Sequence, residues 1–199
     1  AAGDVNGNGQ IDAGDATMIL YRAVHGSWPS LPGAEQKLRA ASASGTTRLT
    51  LDAPTGAPGA TVAVALRADN LVDWAGGTLV IAYDPAMVGV AGVATMGMAQ
   101  GFGLQYYDDG AGLLRIALAD GTAVQGGGAL LQIRLKIAPS VGEKSQTALV
   151  LAQAQLNDGL GQDFATSALG RTIERSDGAV RVSSQDQQHR TYLPTVFRW

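Results

Sequence analysis

From Thr47 onward the sequence alternates, and that period constrains the fold more than any other feature. LTLD, TVAVALRAD, GGTLVIAYD, GLLRIALAD, LLQIRLKIA, TALVLAQAQLN and GAVRV place apolar residues at every second position. This is the pattern of a strand with one buried and one outer side. GVAGVATM and GLQYYDD continue the series. The runs are separated by APGA, YDPAM, DDGAG, ADGTAVQGGG and APSVGE, rich in the Pro, Gly and Asp that turns require. About nine or ten strands in roughly 135 residues fit a two-sheet sandwich or jelly roll better than a parallel α/β sheet. The 27 glycines and a charged content of only 16% agree with short strands joined by many turns. A chain of 199 residues holds one good core, or one domain and a small appendage.

Residues 1–26 obey a different period. In DATMILYRAVHG, Ala16, Ile19, Leu20, Ala23 and Val24 fall at i, i+3, i+4, i+7 and i+8, one face of a helix. Gly26 supplies the stop and Pro29 follows. Asp15 suits the N-terminal end of the helix dipole, and His25 the C-terminal end. A lone loop and helix has too little core to stand alone, so the apolar face is expected to pack on the linker or the β domain. Residues 27–46, SWPSLPGAEQKLRAASASGT, read as a linker with room for a short helix at AEQKLRAA. Residues 183–199 form a tail that ends in the apolar, aromatic TYLPTVFRW, expected to pack on something.

The segment before the helix, DVNGNGQIDAGD, has Asp, Asn or Gln at six of twelve positions. Against a twelve-residue calcium loop, Asp4 falls at position 1, Asn6 at 3, Asn8 at 5, Gln10 at 7, Asp12 at 9 and Asp15 at 12. Gly9 takes position 6, where the chain turns sharply, and Ile11 takes position 8, expected to anchor the loop inward. Gln10 contributes its carbonyl, and Asp12 can act through a water. Oxygen donors without His or Cys favour Ca²⁺. The departure from the EF-hand pattern is Asp15 in place of Glu, one methylene shorter, which draws the helix closer.

Other chemistry is poorly supplied. The net charge of −3, with no basic patch, argues against nucleic acid. There is no Cys, hence no disulfide framework or thiolate metal site. No apolar run approaches the roughly 18 residues of a membrane span. The opening AAGDV reads as a cut or processed end. The two histidines, His25 and His189, lack a nucleophile partner, and GxSxG, P-loop and HExxH motifs are absent. Asp69, Asp73, Asp84, Asp108, Asp109, Asp120, Asp158 and Asp163 sit mostly in turn-like contexts rather than as a carboxylate pair. Asn157, Asp158 and Asp163 form a second, weaker calcium candidate. The chain is therefore expected to be no enzyme. Trp74 is expected in or near the core, and of the consecutive Tyr106 and Tyr107 one should be buried and one exposed.

Residues 3–26, with the GDVNGNG opening and the closing Asp, resemble a dockerin type I repeat. The resemblance implies a calcium-binding module that docks onto cohesins in extracellular assemblies. That family carries two repeats and this chain shows one, so a first repeat lies upstream of Ala1 or the unit is a half module. Ala13 and Gly14 stand where many dockerins carry a hydroxyl pair, which implies a different partner preference. PGATVAVALRADNLVDWAGGTLVIAYDPAMVGVAGV resembles the first half of a cohesin domain, through Pro58, Gly59, Gly76, Gly77, Tyr83, Asp84 and Pro85. LNDGLGQDFA and SDGAVRV continue the likeness over residues 47–182. This implies a mainly β fold, a cohesin-like nine-stranded jelly-roll β-sandwich with an N-terminal EF-hand-like calcium loop-helix.

The domains expected are a dockerin-like half module at 1–26, a linker at 27–46, a cohesin-like sandwich at 47–182 and a tail at 183–199. The function expected is non-catalytic, calcium-binding protein–protein assembly, extracellular or at the cell surface. Its partner would be of cohesin or dockerin type, with self-association as one form. The alternatives are a carbohydrate-binding sandwich, poorly served by 6% aromatic residues, and a calcium-rigidified segment of a larger surface protein.

Overall fold

A computed structural model describes residues 3–5, 11, 13–27, 45–165 and 171–183. Helix α1 (Ala13–His25) is followed by strands β1 (Thr46–Leu51), β2 (Thr55–Gly56), β3 (Thr61–Ala82), β4 (Val88–Thr95), β5 (Gly103–Asp108), β6 (Leu113–Ile137), β7 (Gln146–Asp158), β8 (Thr172–Ser176) and β9 (Gly178–Val182). Nine strands thus match the sandwich expectation. The suggested helix at AEQKLRAA, the TYLPTVFRW tail and His189 lie outside the described residues.

Two long strands organise the fold. The first part of β3 pairs with β1 and the second part of β6; the remainder of β3 pairs with β7 and the first part of β6. Register shifts between Leu66 and Gly76 mark the bend, where Asn70 and Asp73 take positive φ of 57° and 54°. One layer is therefore β8–β1–β3–β6–β4, and the other β9–β7–β3–β6–β5, with β2 beside β9. The corner is tied by the Asn70 carbonyl, which accepts from the Arg171 guanidinium (2.5 Å) and the Thr47 hydroxyl (3.1 Å). Arg171 is buried there, and desolvation lowers its pKa from the usual guanidinium value.

Between the layers lies one apolar core. Leu49, Val64 and Leu66 meet Leu79, Ile116, Leu118, Leu131 and Leu156, all almost inaccessible. Trp74 is completely buried and stacks on Phe102 with ring centroids 4.6 Å apart, as its sequence context suggested. Gly76 and Gly77 are there because β3 is hemmed in on both sides. A Cβ on Gly76 would lie 2.3 Å from the Leu118 carbonyl oxygen, and one on Gly77 2.2 Å from that of Gln155. The Tyr83-Asp84-Pro85 step ends β3 as expected: Asp84 Oδ1 accepts the Ala86 N–H, and the Tyr83 hydroxyl donates to Asp108 Oδ1 at 2.5 Å.

Candidate docking face

The outer side of the β7–β3–β6–β5 layer is built row by row from its register. One row runs Gln153, Val80, Arg115, Tyr107; the next runs Gln155, Thr78, Ala117, Gln105. The third runs Asn157, Gly76, Ala119, Gly103. Alternation puts these residues opposite the core-facing Leu79, Ile116 and Leu156. The first two rows carry amide, hydroxyl, phenol and guanidinium groups on a flat, open surface. Thr78, Gln105, Tyr106, Tyr107, Arg115 and Ala117 bound a shallow hollow of about 320 Å³. Arg115 Nη1 lies 3.8 Å from Asp109 Oδ2 at the edge of the face. The Asp109 carboxyl is held below the usual carboxylate range by the backbone N–H groups of Leu113 and Ala111.

Tyr107 is 64% exposed and Tyr106 46%, so the expectation of one buried tyrosine is corrected. Among the described residues β5 is an edge strand paired with β6, with no further strand beside it to cover Tyr106. Alternation reads sidedness but not whether a neighbour exists to cover it.

The third row is different. Gly76, Ala119 and Gly103 leave a shelf, and α1 lies on it. The Thr17 hydroxyl, 1% exposed, reaches the Ala75 carbonyl at 3.3 Å and its own helix at Ala13 O at 3.0 Å. A Cβ on Gly121 would come within 2.9 Å of the Leu20 backbone, and one on Gly161 within 2.3 Å of Gly14 O. The helix packs on the β domain, as expected, but through another side. Ala13, Asp15 and Thr17 are buried, whereas Ile19 and Val24 are 52% and 65% exposed. The shelf admits small side chains at close range. Gly26 ends α1 with φ +72°, its N–H bonded to Arg22 O, as the stop signal predicted.

Of the proposed calcium ligands, Asp4 and Asp15 are described; Asn6, Asn8, Gln10 and Asp12 lie outside the described residues. Asp15 falls within the first turn of α1, which starts two residues before it at Ala13, and its Oδ1 accepts the Val5 N–H at 2.6 Å. The two ends of the loop are thus closed on each other. Ile11 lies against Gly3 but is 69% exposed, so it does not bury as expected. Among the described residues, no three His, Cys, Asp or Glu side chains group closely enough to hold a metal. In the second candidate loop, Asp158 Oδ1 accepts the N–H groups of Leu160 and Gln162, and Asp163 Oδ1 that of Ala165. Asp84, Asp108, Asp109 and Asp120 likewise close their own turns. No helix among the described residues is long and apolar enough to cross a membrane.

Comparison with known proteins agrees with this architecture. None of the curated proteins matches the chain in sequence. The sixth cohesin of scaffoldin B from Acetivibrio cellulolyticus, solved with a Cel5 dockerin, superposes with TM-score 0.60 at 15% identity, covering 69% of this chain and 99% of that one. A non-cellulosomal cohesin from the archaeon Archaeoglobus fulgidus gives TM-score 0.60 at 18% identity, covering 74% and 99%. The OlpA cohesin of Clostridium thermocellum, solved with dockerin 918, gives 0.60 at 14%, covering 69% and 99%. At such identities these superpositions establish a common fold. The cohesin domain family itself matches residues 47–182. No match supports the dockerin repeat expected at the N-terminus. The chain belongs to the cohesin family, whose domain is a non-catalytic binding module.

Proposed function

We propose that this chain binds a dockerin-type protein through the outer side of its β7–β3–β6–β5 layer. The single observation that carries the reading is the open pair of rows bearing Tyr107, Arg115, Gln105 and Thr78. It is flat, mixed in polarity and free of the carboxylate pairs that hydrolysis of glycans would use. Dockerins bound to proteins of this fold make such a partner the natural one. Panning a display library of two-repeat dockerins against the full chain tests it. Arg115→Glu should abolish every interaction found; capture that survives this change would place binding elsewhere.

The second part of the proposal concerns the N-terminus. Asp4, Asn6, Asn8, Gln10, Asp12 and Asp15 form a dockerin-like loop that holds one Ca²⁺ and steadies α1 against the sandwich. The oxygen-only donor set and the closure of Val5 on Asp15 support it. Extracellular calcium-binding modules of modest affinity work where calcium is abundant, which agrees with a secreted or surface-attached scaffold. Calorimetric titration of Ca²⁺ into chelator-stripped protein should give one site per chain, lost in Asp15→Ala. Absence of heat up to millimolar calcium would remove this part and leave the docking face untouched.

A further inference from the structure

We infer that α1 is a displaceable occupant of the docking face, so that the chain restrains its own partner binding. The inference rests on the reading of that face given above. α1 sits on the third row of the same surface whose first two rows stand open. The two parts are continuous: Ala13, Ala16, Ile19 and Leu20 wall a groove of about 380 Å³ whose other wall and floor include Gln105 and Ala117, residues that also line the open hollow. A partner broad enough to use all three rows meets the helix.

The seat is lined by glycines. Its closest contacts set Gly14 and Met18 over Gly161, the Thr17 hydroxyl over Gly76 and the Leu20 backbone over Gly121. Among its polar contacts is a hydroxyl bond of 3.3 Å from Thr17 to the Ala75 carbonyl. It also covers a cost. The alternation of β7, with Leu156 turned to the core, puts Asn157 on the outer side in the row beneath the helix. Asn157 is 1% exposed, and among the described residues neither Nδ2 nor Oδ1 has a hydrogen-bond partner. A buried amide in that state is unfavourable, and departure of the helix lets it be solvated or bonded by the incoming protein. Residues 28–44 tie the helix to β1, so that once displaced it stays at high local concentration and returns when the partner leaves.

The test compares the full chain with Gly121→Val and Thr17→Arg, all with calcium, by titration with the best dockerin from the library. Gly121→Val raises the seat from below, and its backbone is not in the left-handed region. Thr17→Arg lifts the helix from its own side and leaves the sandwich sequence unchanged. If the face is open about a tenth of the time in the native chain, each variant tightens binding about tenfold. Equal or weaker binding by both variants overturns the inference while the docking reading stands. No dockerin binding by any of the three proteins defeats the docking reading, and the inference with it. If Gly121→Val fails to keep the native thermal transition, Thr17→Arg decides.

Discussion

The interior of the sandwich and the seat of α1 are two apolar contacts made by opposite means. The interior joins large side chains, Trp74 on Phe102 and Leu, Ile and Val around them. The seat brings the helix to close range through Gly76, Gly121 and Gly161, and leaves Ile19 and Val24 more than half in solvent. The first contact gains from every methylene; the second gains from their absence. A fold needs the former, because loss of core area is loss of the driving force. A contact meant to open and close is better served by the latter.

Substitutions can break or sharpen that contrast. Trp74→Ala should have the largest effect, a loss of about 3–5 kcal/mol in denaturant unfolding, because it empties a completely buried site. A loss under about 1 kcal/mol would mean that the core is far looser than its burial implies. Tyr83→Phe should cost about 1 kcal/mol by removing the hydroxyl bond to Asp108. Burial, then the Asp108 carboxylate, raises the Tyr83 pKa above the ordinary phenol value. The stabilisation is therefore complete below about pH 10 and is lost as pH rises beyond it. Thermal melts of the variant should show a smaller alkaline decline than the native chain.

At the seat the effects should be smaller. Thr17→Val should change global unfolding by about 0.5 kcal/mol while speeding amide exchange in α1, since it loses the hydroxyl bonds to Ala75 and Ala13 and leaves the sandwich whole. Slower or unchanged exchange would show that this bond does not hold the helix. Ile19→Ser should be nearly neutral, within about 0.5 kcal/mol, because the side chain is half in solvent. A cost of about 2 kcal/mol would show instead that the helix docks in solution through its large apolar residues.

The sequence carried much of this and misled on particular points. Period-two runs from Thr47 gave the strands, and Gly26 gave the end of α1, because each is a local property. The helix stripe gave the element but the wrong contact side. Hydrophobic periodicity measures what Ile19 and Val24 would gain from a pocket; it does not know that the available surface is Gly76, Ala119 and Gly103. Those residues lie far from the helix in sequence, and only the register of three strand pairs brings them into one row. Tyr106 was misjudged for a related reason, since edge position is a fact of topology. The turn role of the aspartates was legible, because Asx bonds reach only two to four residues along the chain.

The continuity of β3 and β6 through both layers bears on how the molecule comes apart. In a sandwich of separate sheets, one layer can lift from the other as a door from its frame. Here the same two strands are hinge, frame and door. Opening either layer must straighten the bend at Asn70 to Asp73 and unpair the Arg171 corner, which lies in the path of both. The two layers have no independent partial unfolding of their own. A domain of this build is lost as a whole or not at all, while α1 stands outside that circuit.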